Sequence, residues 1–166
     1  MRVAVSNDHA GLPLKPYLLA HLRRRGHEVV DVGPDSAEPV DFPLMTQRVT
    51  DLVRRGAAER GVLICGTGVG AAIAANKVPG IRAAVIHDTH VARQGVEHDD
   101  VNVACLGAWI VGPRIAEDAL DAYLTAAFET GADVRRRVAQ LTEMELTAAR
   151  EVLGTADGAT RQGGAA

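Results

Sequence analysis

Short apolar runs alternate along the chain with stretches of helical spacing. MRVAVS at 1–6, Val29 to Val32, Val62 to Ile64, Arg82 to Ile86 and Val101 to Leu106 are rich in Val, Ile and Ala, as strands buried on both faces are. Between them, Leu14, Tyr17, Leu18 and Leu22 recur at helical spacing, with Pro13 in the first turn and Gly26 as the stop. Further helices are predicted over Leu44 to Arg55, from Ala71 to near Lys77, from Val91 as a short piece, and over 114–128 with Ile115, Ala119, Ala122 and Tyr123 on one side. After Gly131 a last helix is predicted from Asp133 to Leu153. Strand and helix alternating over this length predict an α/β fold: a Rossmann-like three-layer domain with a parallel sheet of about five strands, helices on both faces and a C-terminal helix. Residues 1–153 read as one domain, and the small, polar, Gly-rich segment 154–166 as a disordered tail.

Composition narrows the ligand. The net charge is −3, and no Lys/Arg block is interleaved with aromatic residues, which argues against a nucleic-acid surface and for a small molecule. No apolar run is long enough to span a membrane. The two cysteines sit in apolar runs rather than a paired framework, and no basic-then-apolar leader follows Met1, so a cytoplasmic protein with reduced thiols is expected.

The candidate chemistry gathers where strands end. After Val62 to Ile64 come Cys65, Gly66, Thr67, Gly68, Val69 and Gly70, then an Ala-rich helix. A strand end, a glycine loop and a helix start present several unpaired N–H groups at the carboxyl edge of a sheet, where open α/β sheets bind ligands. Asp8 and His9 follow the first strand, Asp41 closes a Gly/Pro-rich loop at 33–43, and His98 and Asp99 precede the fifth strand. Cys65 reads either as a small buried hydrophobe or as a reactive thiol; ahead of a helix start its pKa is expected to be lowered. Cys105 lacks that setting and reads as core. Asp8 reads either as a helix cap or as an acid at the site. The histidines lack metal-motif spacing, so no metal is expected, and the glycines fit neither a P-loop nor a dinucleotide fingerprint, so no cofactor is expected.

In combination these segments are more specific. SNDHAG at 6–11, DFP at 41–43, LICGTGVG at 63–70, AANKVPGIRAA at 74–84, EHDDVN at 97–102 and LGA at 106–108 resemble, in order and spacing, the ribose-5-phosphate isomerase type B family, which includes galactose-6-phosphate isomerase subunits. The resemblance covers roughly residues 1–150. It implies a metal-free aldose–ketose isomerase working through a cis-enediolate, in a homodimer or dimer of dimers whose sites lie between subunits, with a sugar or sugar phosphate as substrate. By position it implies Cys65 as the base, Thr67 and Asp8 as proton-transfer partners at the hydroxyls, and His98 from the second subunit as the ring-opening residue. Backbone amides from Gly66 to Gly70, Val69 among them, then stabilise the enediolate oxygens, a role the glycine loop fits independently.

The chain departs from the family pattern near the substrate. Asp99 stands where family members usually carry Asn, Phe42 where they carry Tyr, and Trp109 where an Arg is common; an Arg-His pair expected before the last helix is replaced around Asp133 and Val134. His9 and Arg136 or Arg137 remain to meet a phosphate, although Arg135 to Arg137 taken alone read as a solvated helix face. Three readings follow: an isomerase of pentose or tetrose phosphates with an altered phosphate pocket, an isomerase of an unphosphorylated or differently charged sugar, and a non-catalytic sugar-binding protein of the same fold.

Overall fold

The computed structural model describes residues 1–162, with side chains described to residue 154. Its elements are β1 (Arg2–Asn7), α1 (Lys15–Arg24), β2 (Glu28–Asp31), α2 (Phe42–Arg54), β3 (Arg60–Cys65), α3 (Val69–Ala75), β4 (Ala83–Val85), α4 (Thr89–Asp99), β5 (Val103–Gly107), α5 (Pro113–Thr125) and α6 (Ala132–Gln162). The expected α/β domain is present: one parallel sheet of five strands in the order β2-β1-β3-β5-β4, with helices on both faces.

Alternation along each strand divides the core. Val3, Val5, Val62 and Ile64 point to one face, where Leu18 and Leu22 of α1, Val96 of α4, and Leu120 and Tyr123 of α5 pack on them. Ala4, Leu63, Val103 and Cys105 point to the other, under Val49 of α2 and Ala71 and Ala75 of α3. The chain crosses from one layer to the other after β1, so helices leave the neighbouring ends of β1 and β3 on opposite faces and open a crevice between them. Because β5 inserts between β3 and β4, its carboxyl end lies beside that of β3, with Cys65 in register with Gly107.

Three local expectations shift. Helix α1 starts at Lys15, so Pro16 rather than Pro13 occupies its first turn, because residues 8–14 are taken up by turns closed through Asp8 and Gly11 carbonyls. The buried stripe of α5 runs through Ala116, Ala119, Leu120 and Tyr123, which leaves Ile115 exposed. Helix α6 continues past Leu153 to Gln162, and residues 163–166 of the segment expected as a tail lie outside the described residues. Compactness divides the chain into residues 1–128, which hold the sheet, and a second unit beginning at Glu129, which holds α6. Among the described residues no helix is long and apolar enough to cross a membrane.

Candidate active site

Asp8 follows β1 and is buried at its carboxyl end. Its N–H donates to the Ile64 carbonyl at 3.1 Å, which carries the β1–β3 pairing one step beyond the strand. Its Oδ1 accepts the Gly11 N–H at 2.9 Å and closes the turn after β1; the N-cap of α1 is Leu14, with no side-chain cap, so the expectation that Asp8 caps the helix is corrected. The same carboxylate also hydrogen-bonds the Cys65 thiol across the crevice. The tight turn that aims it depends on glycine: a Cβ at Gly11 would lie 2.1 Å from the Ile64 oxygen.

Cys65 is half-buried at the end of β3. Its pKa is raised above the ordinary 9.0, first by burial and then by the Asp8 carboxylate, while amides of Gly68 and Gly66 pull it down. The expected lowering is therefore overturned. The glycine-loop amides do reach the sulfur, but two opposing effects outweigh them: loss of water and a carboxylate in direct contact. Gly68 takes φ +79°, the left-handed conformation that turns the loop into α3. Thr67 is exposed, and its Oγ1 accepts the Val69 N–H at 3.3 Å, which leaves its O–H free to donate outward.

Trp109 and Phe42 border this loop. The indole lies against Gly66, where a Cβ would sit 2.7 Å from the ring, and the backbone N–H of Trp109 donates to the Gly66 carbonyl at 2.9 Å. The indole is nonetheless 72% exposed, so it forms an open apolar wall rather than core. The Phe42 ring approaches Gly70. Behind Cys65 and Asp8, a small cavity of about 10 Å³, room for no more than one water, is bordered by Met45, Thr46 and Ala71.

His9 is exposed, and its Nδ1 accepts the Val40 N–H at 3.3 Å, a bond that leaves the proton on Nε2. The loop between β2 and α2 is anchored at its other end by Lys15, which sequence reasoning passed over. Its buried ammonium meets Asp31 at 2.9 Å, Asp35 at 2.7 Å and the carbonyls of Gly33 and Pro34. Asn7 also donates to the Pro34 carbonyl. A lysine one residue before a proline at a helix start carries no sequence signal for burial; its partners come from a loop some 20 residues on. His87 was passed over as well: its Nε2 accepts the Gly107 N–H at 3.0 Å.

Asp8, His9, Cys65, Gly66, Thr67, Gly68, Val69, Gly70 and Trp109 thus share one edge of the sheet. His98 and Asp99 do not join them. They lie in the last turn of α4, which runs back to the amino edge, where Val103 pairs with Gly61; Cys65 pairs with Gly107, four residues farther along, or about 13 Å. Arg136 and Arg137 are exposed on α6, in the second unit, and Arg136 pairs with Asp133 at 2.5 Å.

Fold and site define a doubly wound α/β protein with a small-molecule crevice at the carboxyl ends of β1 and β3. The sequence model of the family described as Ribose/Galactose Isomerase matches residues 3–141, and the chain belongs to that family. Ribose-5-phosphate isomerase B of Escherichia coli is 42% identical over 144 residues, 87% of this chain and 96% of the relative. D-erythrulose-4-phosphate isomerase of Pectobacterium atrosepticum is 36% identical over 133 residues, 79% and 87% of the two chains. The structure of Clostridium thermocellum ribose-5-phosphate isomerase B matches with a TM-score of 0.86 at 42% identity, covering 89% of this chain and 99% of that one. That of the Mycoplasma genitalium ribose-5-phosphate isomerase B with bound ribulose 5-phosphate matches with a TM-score of 0.81 at 36% identity, covering 87% and 95%.

Proposed function

We propose that this chain is an aldose–ketose isomerase acting on a sugar phosphate of the ribose 5-phosphate/ribulose 5-phosphate type, without metal or cofactor, through a cis-enediolate. The observation that carries the reading is the Asp8–Cys65 hydrogen bond at the head of the Gly66–Gly70 loop. A proton next to a sugar carbonyl is weakly acidic, so its removal needs a positioned base and donors for the oxygen that gains charge. Cys65 as thiolate takes that proton from one carbon and, as a thiol whose proton exchanges with water, delivers a proton to the neighbouring carbon. Asp8, already bonded to the sulfur, takes the thiol proton when the base is generated. Thr67 passes the hydroxyl proton between the two substrate oxygens, and the loop amides hold the enediolate charge. His9, Val69 and Trp109 bind the substrate from the same chain, Asp99 enters the partner's site beside His98, and Arg136 and Arg137 are assigned to the phosphate.

The functional assembly in this reading is a homodimer, or a dimer of dimers, in the cytoplasm. His98 opens the sugar ring in the partner's site, which fits its place at the sheet edge opposite Cys65 of its own chain. Two free thiols suit a reducing compartment. Residues 1–153 act as the isomerase domain.

A shorter sugar phosphate is a second reading, favoured by the Trp109 indole standing over Gly66. Turnover measured against free and phosphorylated C4 to C6 aldoses and ketoses decides between them. Conversion of ribose 5-phosphate supports the first reading, conversion of a tetrose phosphate alone supports the second, and no conversion of any of them overturns both.

A further inference from the structure

Four backbone contacts set the glycine loop on the end of β5. A Cβ on Gly107 would lie 2.7–2.8 Å from the backbone of Thr67, and one on Gly68 would lie 3.2–3.4 Å from backbone atoms of Cys105, Leu106 and Gly107. Ala108 and Trp109 donate N–H groups to the carbonyls of Cys65 and Gly66 at 2.8 and 2.9 Å. With main chain packed on main chain and no side chain between, a shift of β5's end passes directly into the loop. The Gly68 and Gly66 amides that reach the Cys65 sulfur move with it.

Strand β4 would be the natural partner for the end of β5, but it stops short. The last backbone bond between them runs from the Ile86 N–H to the Cys105 carbonyl at 3.0 Å. Two residues on, the Gly107 N–H finds the His87 imidazole, whose Nε2 accepts it at 3.0 Å. The imidazole stands in for the next carbonyl of the ladder. A ring nitrogen that accepts carries no proton, so this bond requires neutral His87 with its proton on Nδ1. Burial pushes the His87 pKa down and works toward the same state, against the pull of the neighbouring Asp88 carboxylate, whose Oδ1 is engaged by the Val91 N–H.

We infer that His87 is a positioning residue for the proton-transfer site: through its Nε2 bond to Gly107 it fixes the floor on which the Gly66–Gly68 amides are aimed at the Cys65 sulfur. It touches neither substrate nor thiol. The catalytic consequence rests on the isomerase reading above, whereas the effect on the thiol does not.

The test therefore reads the thiol first. Iodoacetamide alkylation of Cys65 is followed in the unmodified protein, in His87→Gln, whose side-chain oxygen still accepts, and in His87→Leu, which does not. Folding is checked by circular dichroism. Loss of one neutral hydrogen bond corresponds to an effect of about threefold to tenfold, so His87→Leu is expected to alkylate slower by that factor while His87→Gln stays within about twofold. Nitrogen-15 NMR of the unmodified protein is expected to show an unprotonated His87 Nε2 at neutral pH. In the isomerase assay the same split is expected in kcat, with KM little changed. A His87→Leu protein alkylated at the unmodified rate, a His87→Gln protein as slow as His87→Leu, or a protonated Nε2 overturns the inference. If alkylation follows the expected order but no sugar is converted, the positioning role stands and the isomerase reading is what fails.

Discussion

The Asp8 carboxylate bonds the Cys65 thiol across the crevice between β1 and β3; burial first, and this contact second, raise the thiol's pKa instead of lowering it. A thiol so held is protonated at rest and becomes a base when Asp8 takes its proton. The glycine-loop amides oppose this effect without overcoming it.

Asp8→Asn removes the charge that disfavours the thiolate. The Cys65 pKa is expected to fall, so its alkylation at pH 8 should speed up. Isomerisation should nevertheless drop by about 10²–10⁴-fold, the usual contribution of a proton-transfer group. Measuring both on one preparation separates a reactive thiol from a productive one. A variant that alkylates more slowly, or that keeps full turnover, contradicts the pairing.

Trp109→Arg replaces the apolar wall over Gly66 with a bidentate donor. A hydrogen bond to a charged group contributes about 1.5–3 kcal/mol, so the KM for ribose 5-phosphate should fall by about tenfold or more if the phosphate end lies against this wall. Steady-state kinetics with ribose 5-phosphate and a tetrose phosphate show whether the gain is specific to the longer sugar. An unchanged KM would place the phosphate elsewhere.

Much of this site was legible because its parts are local. Cys65 through Gly70 form a strand end, a turn and a helix start in one continuous stretch, and the glycines announce the turn. Lys15 and His87 were not legible, since each draws its role from a partner 20 residues away. The direction of the Cys65 shift is hidden for the same reason: the sequence displays the adjacent amides, whereas burial and Asp8 come only with the fold. The edge on which His98 lies is set by α4 running back to the start of β5, a matter of packing rather than of local sequence.

Lys15→Met leaves Asp31 half-buried without its cation and is expected to cost about 2 kcal/mol, below the range for fully buried pairs because Asp31 still meets water. The pH dependence has two ends. Asp35's pKa is lowered from 3.8 by Lys15, so its contribution is present above that value and lost as pH falls through the depressed one. Lys15's own pKa is raised from 10.5: burial acts against the charge, but Asp35 and Asp31 prevail, so its contribution is lost only as pH rises through the elevated value. The Tm gap between the unmodified protein and Lys15→Met should be widest at about pH 5–9 and close in acid. A gap unaffected by acid would contradict the ion-pair anchor.

Mixing inactive Cys65→Ser protomers with inactive His98→Ala protomers should restore part of the activity, through hybrid sites that receive an intact residue from each chain. Subunit exchange is confirmed by mass spectrometry. No recovery after exchange would mean that His98 does not serve the partner's site.

The central claim is that Cys65 moves the proton between adjacent sugar carbons. Its most direct test is isomerisation of ribose 5-phosphate in deuterium oxide, followed by proton NMR of the carbon-bound hydrogens. The unmodified protein should introduce solvent deuterium at C1 of ribulose 5-phosphate and at C2 of recovered ribose 5-phosphate, while folded Cys65→Ser introduces none above background. Cys65→Ser exchanging at close to the unmodified rate would contradict the account.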